Sequence, residues 1–133
     1  MNEFDWIIGY RFQSLIKREF DWIIRFENDV TLVVGCLWRL IVAGRVKLTS
    51  EDHGQQFGLP EPIDAAVGVN SCLAGTTVQS ISLVEGLFDL EFKFESGDSF
   101  QVIPDSSGYE AWELNGNDST FVAVGGGEIA ISS

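Results

Sequence analysis

Basic residues are scarce: the chain's 133 residues hold 8 Lys and Arg against 20 carboxylates, a formal charge of −12. Proteins that grip nucleic acid draw affinity from cations neutralising phosphates, so this balance argues against a nucleic-acid binder. A single histidine, His53, leaves no set of imidazoles for a hydrolytic zinc centre, and neither Cys36 nor Cys72 has metal-ligand spacing or company enough for a disulfide framework. No apolar run reaches the length of a membrane span, and the start Met1-Asn2-Glu3-Phe4-Asp5 lacks the basic opening of a signal peptide. These absences predict a cytoplasmic protein without a bound metal or cofactor. Only three prolines interrupt a composition that is 45% hydrophobic and 12% aromatic, far from the disordered regime.

What is present is a repeat. Gly9-Tyr10-Arg11-Phe12-Gln13-Ser14-Leu15 is echoed by Gly75-Thr76-Thr77-Val78-Gln79-Ser80-Ile81 at an offset of 66. Phe20-Asp21-Trp22-Ile23-Ile24-Arg25-Phe26-Glu27 is answered by Phe88-Asp89-Leu90-Glu91-Phe92-Lys93-Phe94-Glu95 at offset 68, so the later copy gains two residues between these blocks. Thr31-Leu32-Val33-Val34 then matches Ser99-Phe100-Gln101-Val102, and Trp38-Arg39-Leu40 matches Trp112-Glu113-Leu114 at offset 74. The hexapeptide EFDWII, at 3–8 and 19–24, is out of phase with this scheme and reads as two similar amphipathic strands.

The periodicity is two. Phe20, Trp22, Ile24 and Phe26 share one face with Glu19, Asp21, Arg25 and Glu27 on the other, and Phe88, Leu90, Phe92 and Phe94 stand likewise against Asp89, Glu91, Lys93 and Glu95, the pattern of half-buried strands. Asn28-Asp29 and Ser96-Gly97 supply hairpin turns. Further strands are expected from Phe4 to Ile16 with a break near Gly9, through Leu32, Val34, Cys36, Trp38 and Leu40, at Val46–Leu48, Thr77–Leu83, Ala111–Leu114, Phe121–Val124 and Glu128–Ile131. The stretch 50–71, with three Gly and two Pro, reads as a connection with a helical turn around Ile63–Val67. The expected architecture is all-β: internally duplicated antiparallel meanders packed as a pseudo-twofold sandwich or a partly closed barrel, with one repeat over 1–49, a connection over 50–73 and a second repeat over 74–133 of a single domain. Trp22, Phe26, Trp38, Phe88, Phe92, Phe94 and Trp112 are the expected shared core.

Catalytic constellations are missing. His53, in Ser50-Glu51-Asp52-His53-Gly54, reads as part of a solvated polar loop, Cys36 as a buried thiol and Cys72 as an exposed one. Gly125-Gly126-Gly127 is followed by Glu128 rather than the Lys and hydroxyl of a phosphate loop, and reads as a turn. Charge is lopsided: residues 1–66 carry a net −3 and residues 67–133 a net −9. Asp89, Glu91, Glu95, Asp98, Asp105, Glu110, Glu113 and Asp118, with Tyr109 as an interface aromatic, are the candidate partner-binding residues, a negative field able to steer a basic protein.

Pro104-Asp105, then Tyr109-Glu110-Ala111-Trp112-Glu113-Leu114, then Gly125-Gly126-Gly127-Glu128 resemble a family of small, uncharacterised bacterial all-β domains with a Pro-Asp, Tyr-Glu-Ala-Trp and Gly-Gly pattern. Trp38-Arg39-Leu40 and Leu73-Ala74-Gly75 fit as well, so the resemblance covers most of the chain, while Ser106, Ser107 and Gly108 set the loop spacing apart. The resemblance implies no catalytic residues; such acidic domains are often encoded beside toxins as immunity proteins. The expected function is therefore non-enzymatic: an immunity or counter-defence inhibitor occluding a basic effector such as a nuclease toxin. The alternative is a small-molecule binder of nucleotide type, with a pocket between the copies or across a homodimer and with Arg39, Arg45 and Lys47 as its positive charge.

Overall fold

The computed structural model describes residues 3–132 as two antiparallel sheets packed face to face, a sandwich rather than a closed barrel. Strands β1 (Phe12–Lys17), β2 (Trp22–Phe26) and β3 (Val30–Val34) enter one sheet, and β4 (Leu37–Val42) and β5 (Arg45–Thr49) the other. After helix α1 (Ala65–Leu73), β6 (Val78–Leu83), β7 (Leu90–Phe94) and β8 (Ser99–Ile103) join β4 and β5, and the chain crosses back with β9 (Trp112–Gly116), β10 (Ser119–Val124) and β11 (Glu128–Ser132). The sheet orders are β1-β2-β3-β9-β10-β11 and β5-β4-β8-β7-β6. The first repeat thus lends three strands to one sheet and two to the other, and the second lends three to each, instead of either forming one face of the sandwich by itself.

The hydrogen bonding carries the duplication in detail. Trp38 lies opposite Val102 in the β4–β8 pair and Trp112 opposite Val34 in the β9–β3 pair, the same pairing with the repeats interchanged. Both first strands carry a bulge at the corresponding place, between Phe12 and Ser14 and between Val78 and Ser80. Phe12 N–H donates to Thr76 O (2.8 Å) while Val78 N–H donates to Tyr10 O (2.9 Å), and the corresponding residues Arg11 and Thr77 form a bridge with each other. The pseudo-twofold axis passes through that bridge. Its symmetry extends into the core, where Phe12 meets Phe26 and the corresponding Phe94 edge-on, each at 5.9 Å. All seven aromatics of the expected core are buried.

Several local expectations fail for reasons of context. Leu32 to Leu40 is not one strand: alternation runs unbroken through Gly35-Cys36, but there the chain changes sheets, and Gly35 N–H donates to Ala111 O at 2.8 Å. EFDWII is not strand twice. At 3–8 it closes a 3-10 turn (Asp5–Ile7) that buries Phe4 completely, and at 19–24 it is a tight turn followed by β2, because only Trp22 onward finds strands on both sides. The helix is longer than a turn: the Asp64 carboxylate accepts from Val67 N–H (3.2 Å), and Ala65, Val69 and Leu73, four residues apart, face the core. His53 is half-buried rather than solvated, with Nδ1 accepting from Ala65 N–H (3.1 Å) and its ring edge-on to Trp22 at 5.3 Å. Cys36 and Cys72 are both half-buried against the core. Asn70 lies along the outer edge of β1, its side chain accepting from Leu15 N–H (2.7 Å) and donating to Leu15 O (3.0 Å) in the manner of a neighbouring strand.

Candidate interaction surface

Strand direction sorts the loops into two ends. The tips Asn28-Asp29, Ala43-Gly44, Ser96-Gly97 and Asn117-Asp118 lie at the hairpin end; both sheet-changing links, 35–36 and 104–111, lie at the other, with the turns 18–21, 84–89 and 125–127 and the segment after Thr49. The hairpin tips are built as hairpins require: Asn28, Asp29, Asn117 and Asp118 all have φ near +60°, which Asn and Asp tolerate well among residues with side chains.

The candidate acids do not form one cluster. Glu95, Asp98 and Asp118 sit at the hairpin end, beside Glu27 and Asp29. Asp89 and Glu91 lie on the outer face of the five-stranded sheet, where Gln101 donates to Glu91 Oε2 (2.7 Å) and Arg39 donates to Gln101 Oε1 (2.9 Å) across three neighbouring strands. Asp105, Glu110 and Tyr109 occupy the 104–111 link at the crossover end, and Glu113 begins the adjacent strand. Arg39, Arg45 and Lys47 do not converge either: Arg39 is bound to Gln101, and Arg45 is exposed beside the Ala43-Gly44 tip at the far end of its strand pair.

The crossover end unites features that the sequence leaves apart. Large apolar side chains project there, among them Phe20 at 87% exposure, Tyr109 at 80% and Leu87 at 63%. Phe20 was expected on the buried face with Trp22; instead it stands outside, whereas its counterpart Phe88 is 8% exposed. The cause is turn length. The β6–β7 turn has two more residues than the β1–β2 turn, and Phe88, at φ 58°, folds inward so that its carbonyl accepts from Trp112 Nε1 (2.8 Å). The shorter turn is held by Arg18, whose guanidinium makes two bonds to the Asp21 carboxylate (2.6 and 2.8 Å) and whose N–H donates to Asp21 O. Trp38, the counterpart of Trp112, keeps a buried Nε1 without an acceptor.

Phe20 and Gly35 line two clefts. One, of about 430 Å³, carries Asp21, Glu110 and Glu113 with Arg18; the other, of about 220 Å³, carries Glu51 and Asp105 beside Cys36. Burial, then the nearby Asp105 carboxylate, pushes the Cys36 thiol up to about 12, so it stays protonated and unreactive. The Asp21 hydrogen bond, with smaller contributions from the Asp21 and Glu113 charges, raises the Arg18 pKa. Among the described residues the ion pairs are Arg18–Asp21 and Arg11–Glu27, which leaves Glu51, Asp105 and Glu110 without a salt-bridged cation. The link and the 84–89 turn both pack closely against the 125–127 turn: a Cβ on Gly125 would overlap the Ser107 carbonyl, and one on Gly127 that of Gly86.

Fold and surface together define a β-sandwich built from two interlocked repeats, with an acidic, aromatic-studded crossover end. The chain belongs to a family of unknown function, DUF6188, whose model matches residues 17–133. No curated protein and no solved structure matches it. No helix among the described residues is long and apolar enough to cross a membrane.

Proposed function

We propose that this protein is a non-enzymatic binding protein that covers the functional surface of a basic effector, such as a nuclease toxin, in the manner of an immunity or counter-defence inhibitor. The observation that supports this reading is the crossover end, where Phe20, Tyr109 and Leu87 are exposed and both clefts beside Phe20 are lined by carboxylates. Large exposed aromatics ringed by charge of one sign are the usual anatomy of a docking site, with anchors supplying affinity and the charged rim supplying encounter rate. Neither the candidate acids nor the single histidine provides a nucleophile with a base and an orienting third group. The nucleotide-binding alternative has less support: the cavity of about 220 Å³ beside Arg39 faces Asp89 and Glu91, which repel phosphate.

Titration calorimetry against the basic product of a neighbouring gene, at low and high salt, tests the proposal. Expected are inhibition of that effector, affinity that falls about tenfold or more as salt screens the rim, and a further loss of about 2 kcal/mol on Phe20→Ala. Binding indifferent both to Phe20→Ala and to joint neutralisation of Asp105, Glu110 and Glu113 overturns it.

A further inference from the structure

Resting on that docking reading, we propose that the element recognised at the crossover end is an extended segment of the partner with Arg or Lys at positions i and i+2, its two cations seated on either side of Phe20.

The exposed ring is a built feature rather than an accident of a surface residue. The same position in the second repeat is buried, and the two-residue difference in turn length, locked by the Arg18–Asp21 pair, keeps Phe20 out. Phe20 borders both clefts, and each offers carboxylates: Glu51 and Asp105 on one side, Glu110, Glu113 and the already paired Asp21 on the other. A cation on one side therefore meets the ring with Glu51 and Asp105, and a cation on the other meets the ring with Glu110 and with Glu113, which also accepts from Asn115 Nδ2 (3.0 Å). The spacing selects the partner's backbone. Groups in contact with opposite faces of a phenyl ring, each at about 3.5 Å, stand about 7 Å apart. Side chains two residues apart on a strand share a face and lie about 6.6 to 6.8 Å apart, whereas adjacent ones point to opposite faces. Guanidinium suits the position best, because it stacks on aromatic faces while its N–H fork reaches carboxylates.

The test is a nitrogen-15 NMR titration with two blocked pentapeptides of equal composition, Gly-Arg-Thr-Arg-Gly and Gly-Arg-Arg-Thr-Gly. The first is expected to bind about fivefold to tenfold more tightly, to shift the amides of Phe20, Gly35, Glu51 and Glu110, and to lose about tenfold on Phe20→Leu. That substitution replaces a solvent-exposed ring and leaves the core untouched, so the fold persists. Equal affinities, shifts confined to the hairpin end, or indifference to Phe20→Leu overturn the straddled geometry. If the whole effector still binds and loses affinity on Phe20→Ala, only the i and i+2 spacing is wrong; if the effector is indifferent both to Phe20→Ala and to joint neutralisation of Asp105, Glu110 and Glu113, the docking reading falls with it.

Discussion

The two corresponding tryptophans allow a substitution and its own control to be made in one molecule. Trp38 and Trp112 are both fully buried and hold the same register in their respective sheets, yet Trp112 Nε1 donates to Phe88 O while Trp38 Nε1 has no acceptor. Replacing either by Phe removes the same ring atoms, at a shared cost of roughly 1 to 2 kcal/mol. Trp112→Phe also strands the Phe88 carbonyl, adding about 1 to 3 kcal/mol, whereas Trp38→Phe deletes a buried donor that was already unsatisfied and recovers a penalty of similar size. The two variants should therefore differ by about 2 to 6 kcal/mol, with Trp38→Phe near neutral. For a domain of this length, at roughly 4 °C per kcal/mol, this corresponds to about 8 °C or more in Tm. Urea unfolding followed by far-ultraviolet circular dichroism measures the gap without relying on the fluorophores being altered. Equal losses, or a greater loss at Trp38, would show that the indole of Trp38 has a partner and that the two repeats are not asymmetric here.

Asn70→Ala should cost about 2 kcal/mol by removing both side-chain bonds to Leu15, and size-exclusion chromatography should then reveal concentration-dependent association through the bared edge of β1. Because the folded Cys36 thiol titrates near 12 and the unfolded one near its ordinary value of 9.0, its contribution to stability is complete below pH 9 and is lost as pH rises from there towards 12. Cys36→Ala should flatten that alkaline decline, read as Tm against pH, and iodoacetamide at mildly alkaline pH should modify native Cys36 far more slowly than the urea-unfolded thiol. Fragments 1–49 and 50–133 should each be unfolded alone by circular dichroism and regain the sandwich when mixed, since every sheet draws strands from both; a stable isolated fragment would contradict the interlocked pairing.

How far the sequence reveals this molecule depends on which interactions are local. Period-two alternation marks β2 and β7, hairpin chemistry marks Asn28-Asp29, and the offsets of 66, 68 and 74 mark the repeat, all written within short stretches. The exchange of strands between sheets is not local: Leu32, Val34, Cys36, Trp38 and Leu40 keep one parity across a link that carries no strong turn signal, so the crossing becomes visible only through pairing with β8 and β9. The contrast between Phe4, fully buried, and Phe20, at 87% exposure in the same hexapeptide, is decided by neighbours far away in the chain. The surface was half legible. Asp105, Tyr109 and Glu110 were evident from charge and residue type, but Phe20 was hidden by its strand parity and Glu51 by its loop. The one available hint was the two-residue gain between Gln79 and Phe88, which makes the two turns unequal.

Asn70 has one more consequence. By imitating a strand, an amide from the helix closes one rim of the six-stranded sheet and leaves, among the described residues, the opposite rim at β11 as its open side. Ribbon-like polymers need monomers that are sticky on both flanks, whereas a body with a single sticky flank stops growing once it has met its first mate. This sheet can therefore terminate a stack but cannot propagate one.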